Sequence, residues 1–225
     1  IESDVHLTAD DQCVLWHDST VDRMTSGTGN ISDYTLAELK QLDAAYSFTP
    51  PGQEGYPFRG RGITIPSLAE TLEALPHMRF NLDLKGTSLR LAQKFVEVVE
   101  QYHAHERILG ASFHYRQLRR LRKLAPSLVT SFSSPEVRTL IGLHKARLLK
   151  HIFPFKGLTL QVPELHGDVR IVTPELIQTV HAHGVSIQVW TINEESDMRR
   201  LLDMGVDGIV TDDPRLLQQV LQARE

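Results

Sequence analysis

Short runs in which apolar and polar residues alternate recur along the chain, and amphipathic stretches with helical spacing lie between them. Alternation with a period of two is typical of half-buried strands, and the longer spacing is typical of helices. Strands that alternate with helices favour a parallel sheet joined by crossover helices. The pattern predicts strands at residues 1–7, 79–86, 108–113, 128–133, 157–162, 186–193 and 207–213, with the first continuing through 12–17 after a turn.

Three helix starts carry local sequence signals. In the segments 35–38 and 67–70, Thr or Ser is followed three residues later by Glu. This is the pattern of a capping box, in which the hydroxyl and the carboxylate bond to the first free amides of the helix. Near the C-terminal end, Asp213 precedes Pro214, and proline is favoured in the first turn of a helix. We therefore expect a helix to begin at each of these three points.

Residues 44–66 are rich in proline and glycine, both of which interrupt helices and strands. This composition predicts one long loop without regular structure. A loop of this length inside a compact domain is often a cover over an active site, and a packed surface excursion is the alternative. The sequence leaves both interpretations open.

Seven β/α units fall one short of the eight that close a (β/α)8, or TIM, barrel. Because the first residue, Ile1, already belongs to a strand pattern, we expect one further β/α unit of about 30 residues to precede it. A barrel of this type commonly reaches this length as one domain. The predicted fold is therefore an α/β TIM barrel in which residues 1–225 form a single domain.

Three of the predicted strands have polar side chains on the face opposite their apolar ones. In a barrel the apolar face meets the helices, and the other face points inward. The inward sets are Glu2, Asp4 and His6, then Asn81, Asp83 and Lys85, and finally Ser186, Gln188 and Trp190. Groups that are costly to bury unpaired are thus predicted to point into the barrel.

The carboxylates of Glu2, Asp4 and Asp83 would repel one another inside a barrel unless a cation neutralises them. Glu2 and Asp4 lie about 7 Å apart on a strand that rises ~3.3 Å per residue, so both can reach one ion. Oxygen ligands favour Mg²⁺ or Ca²⁺ over zinc, and we expect one such divalent ion. The alternative is that Glu2 and Asp4 cap a loop or pair with Lys85, and that Asp83 and Lys85 form a plain salt bridge.

His17 is followed directly by Asp18. Histidine changes its protonation state near neutral pH and is the commonest general acid or base in catalysis. A solvent-exposed loop histidine held by Asp18 is an equally good interpretation of these residues by themselves.

Composition and charge exclude some classes of function. The net charge of −4 and the pI of about 6.3 disagree with binding to nucleic acid, which needs a basic face. The single cysteine, Cys13, cannot form an internal disulfide and indicates a buried residue and a reducing, cytoplasmic location. The sequence has no run of about 18 apolar residues, the length of a transmembrane helix. We therefore expect membrane association only through a segment that precedes this chain.

Several motifs, taken in chain order, resemble the glycerophosphodiester phosphodiesterase family. The run IESDVHLTADDQCVLWHDSTVDRMTSGTG contains E-x-D-V-x-L-T-x-D followed by H-D-x-T-x-D-R-x-T-x-G-T-G, a combination that is specific to that family. The motifs NLDLK, VWTIN and GVDGIVTDDP follow in the order that the family has. The resemblance therefore covers essentially the whole chain.

The resemblance implies a metal-dependent TIM barrel that hydrolyses small glycerophosphodiesters, such as glycerophosphocholine, to glycerol 3-phosphate and an alcohol. By motif, Glu2 and Asp4 match two metal ligands of the family, and Asp83 matches the third. Asp83 is shorter than the glutamate usually found there, which implies that the ion is slightly displaced or is reached through water. Three further positions match by motif: Lys85 matches the lysine that faces the phosphate, His17 the second catalytic histidine, and Trp190 an aromatic residue that lines the substrate site.

The chain departs from the family in lacking the motifs His-Arg-Gly and Pro-Glu-Asn-Thr, with which the family normally begins. The partner of His17 would then lie in the expected upstream unit, and the direction of proton transfer by His17 stays open. Two other functions remain: a lysophospholipase D-type phosphodiesterase that acts on lipids, and a non-catalytic phosphate-binding barrel that lacks the first catalytic histidine. The oligomeric state cannot be read from the sequence.

Overall fold

The computed structural model describes residues 1–149, 153 and 155–224, and the chain divides into two compact units, residues 1–128 (unit 1) and 129–225 (unit 2). The strands of unit 1 are β1 (Glu2–Leu7), β2 (Cys13–Leu15), β3 (Phe80–Leu84) and β4 (Ile108–Ala111). Its α-helices are α1 (Leu36–Leu39), α2 (Leu68–Ala74), α3 (Leu89–Gln101) and α4 (Tyr115–Leu124), with short 3-10 helices at Ile31–Asp33 and His105–Arg107.

The sheet of unit 1 has the strand order β2-β1-β3-β4. β1 is parallel to β3 and β3 is parallel to β4, whereas β2 is antiparallel to β1. The predicted turn and the strand after it are present, but residues 13–15 form a separate antiparallel strand and not a continuation of the first. The chain turns back instead, because the Gln12 amide donates to the Thr8 hydroxyl and Asp11 takes a left-handed conformation at φ 60°, which aspartate tolerates better than most residues.

The core of unit 1 lies between this sheet and its helices. Val5 of β1 and Phe80, Leu82 and Leu84 of β3 are buried, and they alternate with the polar residues of the same strands. The alternation therefore separates an apolar helix-facing side from a polar side, as the sequence predicted. The helices contribute Leu68, Leu72, Leu91, Phe95, Val99, Leu118 and Leu121 to this core.

Residues 44–66, all of which the structure describes, contain turns but no helix or strand. The two ends of this loop are held together, because the Ala44 amide donates to the Ile63 carbonyl at 2.8 Å. Inside the loop, the Arg59 guanidinium lies 4.0 Å from the ring centres of both Tyr46 and Tyr56. The loop is thus closed and packed by its own side chains, as in an Ω-loop.

The strands of unit 2 are β5 (Val129–Thr130), β6 (Thr159–Pro163), β7 (Leu165–His166), β8 (Val169–Arg170), β9 (Ser186–Trp190) and β10 (Gly208–Ile209). Its helices are α5 (Ser134–Lys145), α6 (Pro174–His181), α7 (Glu195–Met204) and α8 (Pro214–Gln222). β6, β9 and β10 form a parallel sheet in the order β10-β9-β6. Its core consists mainly of Leu160, Val162, Ile187, Val189, Leu176, Val180, Met198, Leu201 and Val220.

The β7–β8 hairpin was not predicted from the sequence. Its two-residue connection is Gly167-Asp168, with Gly167 at φ 57°. Such a Gly-Asp pair between two short strands is a recognised hairpin signal. The flanking strands have only two residues each, which is too short for their alternation to be noticed.

The predicted helix starts are confirmed. Thr35 and Ser67 each form a complete capping box with the glutamate three residues later, at the starts of α1 and α2. Asp213 accepts hydrogen bonds from the first amides of α8, which begins at Pro214. Cys13 is buried as expected, and burial raises the pKa of its thiol to about 12. In the part of the chain that the structure describes, no helix combines the length and the apolar character needed to cross a bilayer.

Candidate active site

The parallel pairing of β1 with β3 sets the geometry of the polar face in unit 1. Asp4 lies directly opposite Asp83, and Glu2 lies opposite Asn81. Opposite residues on adjacent strands point to the same face of the sheet. The register therefore brings carboxylates together that are far apart in the sequence.

Lys85 joins the two aspartates. Its Nζ lies 2.9 Å from Asp4 Oδ1 and 2.6 Å from Asp83 Oδ2. Asp4 and Asp83 are only 6% and 7% exposed, so this ammonium is the counter-charge of two nearly buried carboxylates. The salt bridge that the sequence left open as an alternative is thus present, and no group of three metal-ligating side chains is formed within the described residues.

The pKa values in this group show that negative charge is in excess. Burial raises the pKa of Glu2, and the neighbouring carboxylates of Asp4 and Asp83 raise it further. Burial also raises the pKa of Asp83, although Lys85 opposes this. Burial by itself would lower the pKa of Lys85, but its hydrogen bonds with Asp83 and Asp4 outweigh this effect and raise it. Glu2 and Asp83 therefore resist ionisation mainly because they are buried, and the nearby carboxylates add to this effect.

In charge this group suits a divalent cation, although its three carboxylates are not gathered as a cluster of ligands within the described residues. Asp83 Oδ1 is buried and has no hydrogen-bond partner among the residues that the structure describes, and such orphaned oxygens are rare in folded proteins. Three carboxylates and one ammonium leave a formal charge of −2 (−3 + 1). A hard divalent ion held by Glu2, Asp4 and Asp83 would neutralise this charge and use the free oxygen.

Two residues that follow β4 also approach this group and were not identified from the sequence. The ring centre of Phe113 lies 5.3 Å from Lys85 Nζ, although half of the residue is exposed. The positive charge of His114 lowers the pKa of Asp83. A signal was available, because residues that directly follow the carboxyl end of a parallel strand commonly form active sites.

His17 lies after β2 with its side chain 78% exposed. Its Nδ1 is 2.8 Å from Asp18 Oδ1, so the contact with Asp18 that the sequence suggested is present. The charge of His17 also slightly opposes the rise in the pKa of Glu2. His6 bonds to the backbone of His17, and burial lowers the pKa of His6. His17 thus lies just after the strand that pairs with β1, and its exposed ring is held by Asp18.

Trp190 is the last residue of β9 in unit 2 and pairs with Pro163 of β6. It shares the polar face of that sheet with Gln188, which accepts a hydrogen bond from Gln161 Nε2 at 2.8 Å. Trp190 is half-buried. Unit 2 therefore carries its own polar strand face, with an aromatic residue at the carboxyl end of the strand.

Comparison with known proteins gives the family. A sequence model of the glycerophosphoryl diester phosphodiesterase family matches residues 1–216. The chain belongs to this family. A glycerophosphodiester phosphodiesterase of Caldanaerobacter subterraneus subsp. tengcongensis is 34% identical over 224 residues, which cover 96% of this chain and 83% of the relative. The resemblance seen in the sequence is therefore confirmed, and the protein is a phosphoric diester hydrolase.

Two further relatives bear on what this family of enzymes does. The human lysophospholipase D GDPD1 is 27% identical over 245 residues, which cover 98% of this chain and 76% of the relative. The solved structure of an Oleispira antarctica phosphodiesterase in complex with the product sn-glycerol-3-phosphate matches with a TM-score of 0.76 and 26% identity. That match covers 98% of this chain and 84% of the other. The enzyme, and not the non-catalytic barrel, is the interpretation that these relatives support.

Proposed function

We propose that the enzyme hydrolyses glycerophosphodiesters to glycerol 3-phosphate and an alcohol, that the reaction needs one divalent metal ion, and that the fold is a (β/α)8 barrel. The observation that carries the metal dependence is the pair of nearly buried aspartates in register on β1 and β3, with one oxygen of Asp83 unpaired. Parallel strands with helices on their apolar face support the barrel. The product named for the Oleispira antarctica relative supports the substrate class.

The proposed ligands are Glu2, Asp4 and Asp83, with Mg²⁺ or Ca²⁺ as the ion. An ion held by these residues would act as a Lewis acid toward the phosphate. Lys85 supplies a second positive charge at the same place, because its Nζ is already held within 2.9 Å of both aspartates. The two charges would stabilise the developing negative charge on the phosphate more than in water, because the site is largely buried.

His17 is the proposed proton-transfer group. Its Nδ1 is occupied by Asp18, which leaves Nε2 to exchange a proton with the substrate, the leaving alcohol or water. The 44–66 loop of unit 1 is proposed to contact the alcohol group, on the basis of its exposed aromatic side chains. For Trp190 the proposed role is the substrate contact that its motif implies.

A lysophospholipase D activity is the second candidate, because the human relative of that name matches almost the whole chain. The two candidates differ in the substrate and not in the bond that is broken. Release of the alcohol from glycerophosphocholine and glycerophosphoethanolamine, compared with lysophosphatidylcholine, separates them. We expect faster turnover of the two deacylated substrates, abolished by EDTA and restored by Mg²⁺ or Ca²⁺. Preferential cleavage of the lysolipid would favour the second candidate, and full activity in EDTA would refute the metal dependence.

Substitution of the ligands tests the site itself. We expect Glu2→Gln and Asp83→Asn each to abolish the turnover that metal restores, because each removes a charged oxygen donor while keeping the shape of the side chain. Glu97→Gln, which changes an exposed carboxylate of α3 that pairs with Lys94, is the matched control and should keep full activity. Unchanged metal-restored rates in Glu2→Gln and Asp83→Asn would reject the ligand assignment.

A further inference from the structure

Packing against other residues does not fix the orientation of the His17 ring. With its side chain 78% exposed, the ring is free to rotate unless a specific hydrogen bond fixes it. A neutral imidazole also has two tautomers, and only the one with a proton on Nδ1 leaves Nε2 free to accept a proton. Among the residues that the structure describes, the contact that selects this tautomer is the bond from Nδ1 to Asp18 Oδ1 at 2.8 Å.

Asp18 is itself held by Arg23. The guanidinium donates from Nε to Asp18 Oδ2 at 2.6 Å and from Nη2 to Oδ1 at 3.0 Å. This two-point contact fixes the plane of the carboxylate, which a single hydrogen bond does not do. The contact with Arg23, followed by that with His17, also lowers the pKa of Asp18 to about 2. The carboxylate therefore stays ionised and acts only as an acceptor, so Nδ1 of His17 must carry the proton.

Arg23 in turn sits on a rigid turn. The buried Val21 donates its amide to the Gly29 carbonyl at 3.0 Å, and the Gly29 amide donates to Asp22 Oδ2 at 2.9 Å. The Thr25 hydroxyl donates to the Val21 carbonyl at 2.8 Å. Thr25 and Gly29 thus form hydrogen bonds with Val21 and Asp22, at the start of the same segment. These bonds fix the backbone that carries Arg23.

We propose that Arg23 is a positioning residue for the phosphodiesterase reaction: it clamps Asp18, and through Asp18 it holds His17 in one orientation and one tautomer. This inference rests on the proposed role of His17 in proton transfer. Arg23 itself does not touch the reacting groups. The glycine-containing turn from Thr25 to Gly29 supports Arg23 in this arrangement.

The other charged and titratable groups around His17 do not replace Arg23. His6 bonds to the backbone of His17 and does not restrain the ring. Between Glu2 and His17 the described residues show no hydrogen bond, so Glu2 does not hold the ring. Loss of Arg23 therefore leaves Asp18 as an unrestrained, singly bonded carboxylate beside His17.

The test measures orientation and activity separately. In the full-length, metal-loaded protein at a fixed pH of about 8, where a histidine with an ordinary pKa is neutral, ring ¹⁵N NMR spectra report the tautomer of His17. We expect one tautomer in the wild type, and a mixture in Arg23→Gln and Asp18→Asn. We expect kcat in Arg23→Gln to fall about tenfold, a part of the roughly 10²- to 10⁴-fold that proton transfer contributes, with KM within about twofold. Arg23→Lys should recover part of the loss, because lysine restores the charge but not the two-point contact.

Matched variants separate the possible outcomes. Arg90→Gln removes a similar exposed Arg–Asp pair, with Asp11, and should leave both kcat and the His17 spectrum unchanged. If His17→Ala keeps near-normal activity, the proposed function of His17 fails. If His17→Ala is inactive while Arg23→Gln keeps the wild-type spectrum and kcat, only the role of Arg23 is overturned. Should Arg23→Gln not fold, the same two measurements on Arg23→Lys decide.

Discussion

Lys85 is the side chain on which the polar face of β1 and β3 depends. It neutralises two carboxylates that are almost fully buried, and an uncompensated buried charge is strongly destabilising. The same ammonium is proposed to stabilise negative charge on the phosphate during catalysis. One residue thus has a role in stability and a proposed role in catalysis, and the two can be measured apart.

We expect Lys85→Gln to lower the free energy of unfolding by about 3 kcal/mol in the absence of metal, because two aspartates then repel each other without a counter-charge. Millimolar Mg²⁺ or Ca²⁺ should stabilise this variant more than the wild type, since an ion then has no ammonium to compete with. Urea unfolding with and without metal measures both effects. Lys40→Gln, which breaks an exposed pair with Glu70, is the control and should cost less than about 1 kcal/mol. Equal stabilisation of variant and wild type by metal would contradict the proposal that the metal ion and the Lys85 ammonium compete for the same carboxylates.

Phe113 is expected to contact substrate, because it is half exposed and lies beside Lys85 at the carboxyl end of β4. Phe113→Ala should raise KM for glycerophosphodiesters several-fold with a smaller change in kcat. The KM of Phe113→Leu should lie between those of the wild type and Phe113→Ala. Steady-state kinetics on folded variants measure this. Met78→Ala, which truncates a similarly exposed side chain ahead of β3, should leave KM unchanged. The expectation fails if Phe113→Ala and Met78→Ala have the same KM.

At the scale of elements, two glycines in unit 2 differ in backbone conformation, so that substitution by alanine should have opposite effects on stability. Gly205 ends α7 in the left-handed conformation at φ 95°, where any other residue is strained. A Cβ there would only touch Ile177 at 3.9 Å, so the cost of a substitution is conformational and not steric. Gly142 lies inside α5, and a Cβ added to it would meet no heavy atom within 4 Å in the described part of the chain.

We therefore expect Gly205→Ala to lower the free energy of unfolding by about 1 kcal/mol, and Gly142→Ala to raise it by about 0.5–1 kcal/mol. The same side chain is added in both cases, so each variant serves as the control of the other. Urea denaturation at neutral pH measures both values. A change of the same sign in the two variants would show that backbone conformation is not what distinguishes these positions.

At the scale of the whole molecule, the division into units 1 and 2 raises the question of cooperativity. The sequence predicts one domain over residues 1–225, and a single domain unfolds in one transition. The chain has two tryptophans, Trp16 in unit 1 and Trp190 in unit 2. Each unit therefore carries its own fluorescent reporter.

Trp16→Phe and Trp190→Phe each leave one fluorescent reporter. We expect the urea midpoint from fluorescence to coincide, in each variant, with the midpoint from circular dichroism of the same variant. Far-ultraviolet circular dichroism of both variants provides the common reference. Two separate midpoints, with circular dichroism following each in part, would show that the units unfold independently and would refute the prediction of a single domain.

The sequence by itself determined the properties that depend on near neighbours in the chain. The apolar and polar faces of β1, β3 and β9 follow from a period of two, and the capping boxes at Thr35 and Ser67 involve residues three apart. The motifs around Glu2 and His17 were specific enough to indicate the family. Short elements such as the β7–β8 hairpin were not predicted, because strands of two residues are too short to show an alternating pattern.

Only the tertiary structure decided which distant groups meet. Linear spacing does not fix the register of parallel strands, and it is the register that places Asp4 opposite Asp83 and brings Lys85 between them. The return of β2 along β1 was decided by a turn, and the proximity of Phe113 to Lys85 by the pairing of β3 with β4. Contacts of this kind arise from hydrogen-bond ladders and packing between elements, so a pattern read along one strand cannot contain them.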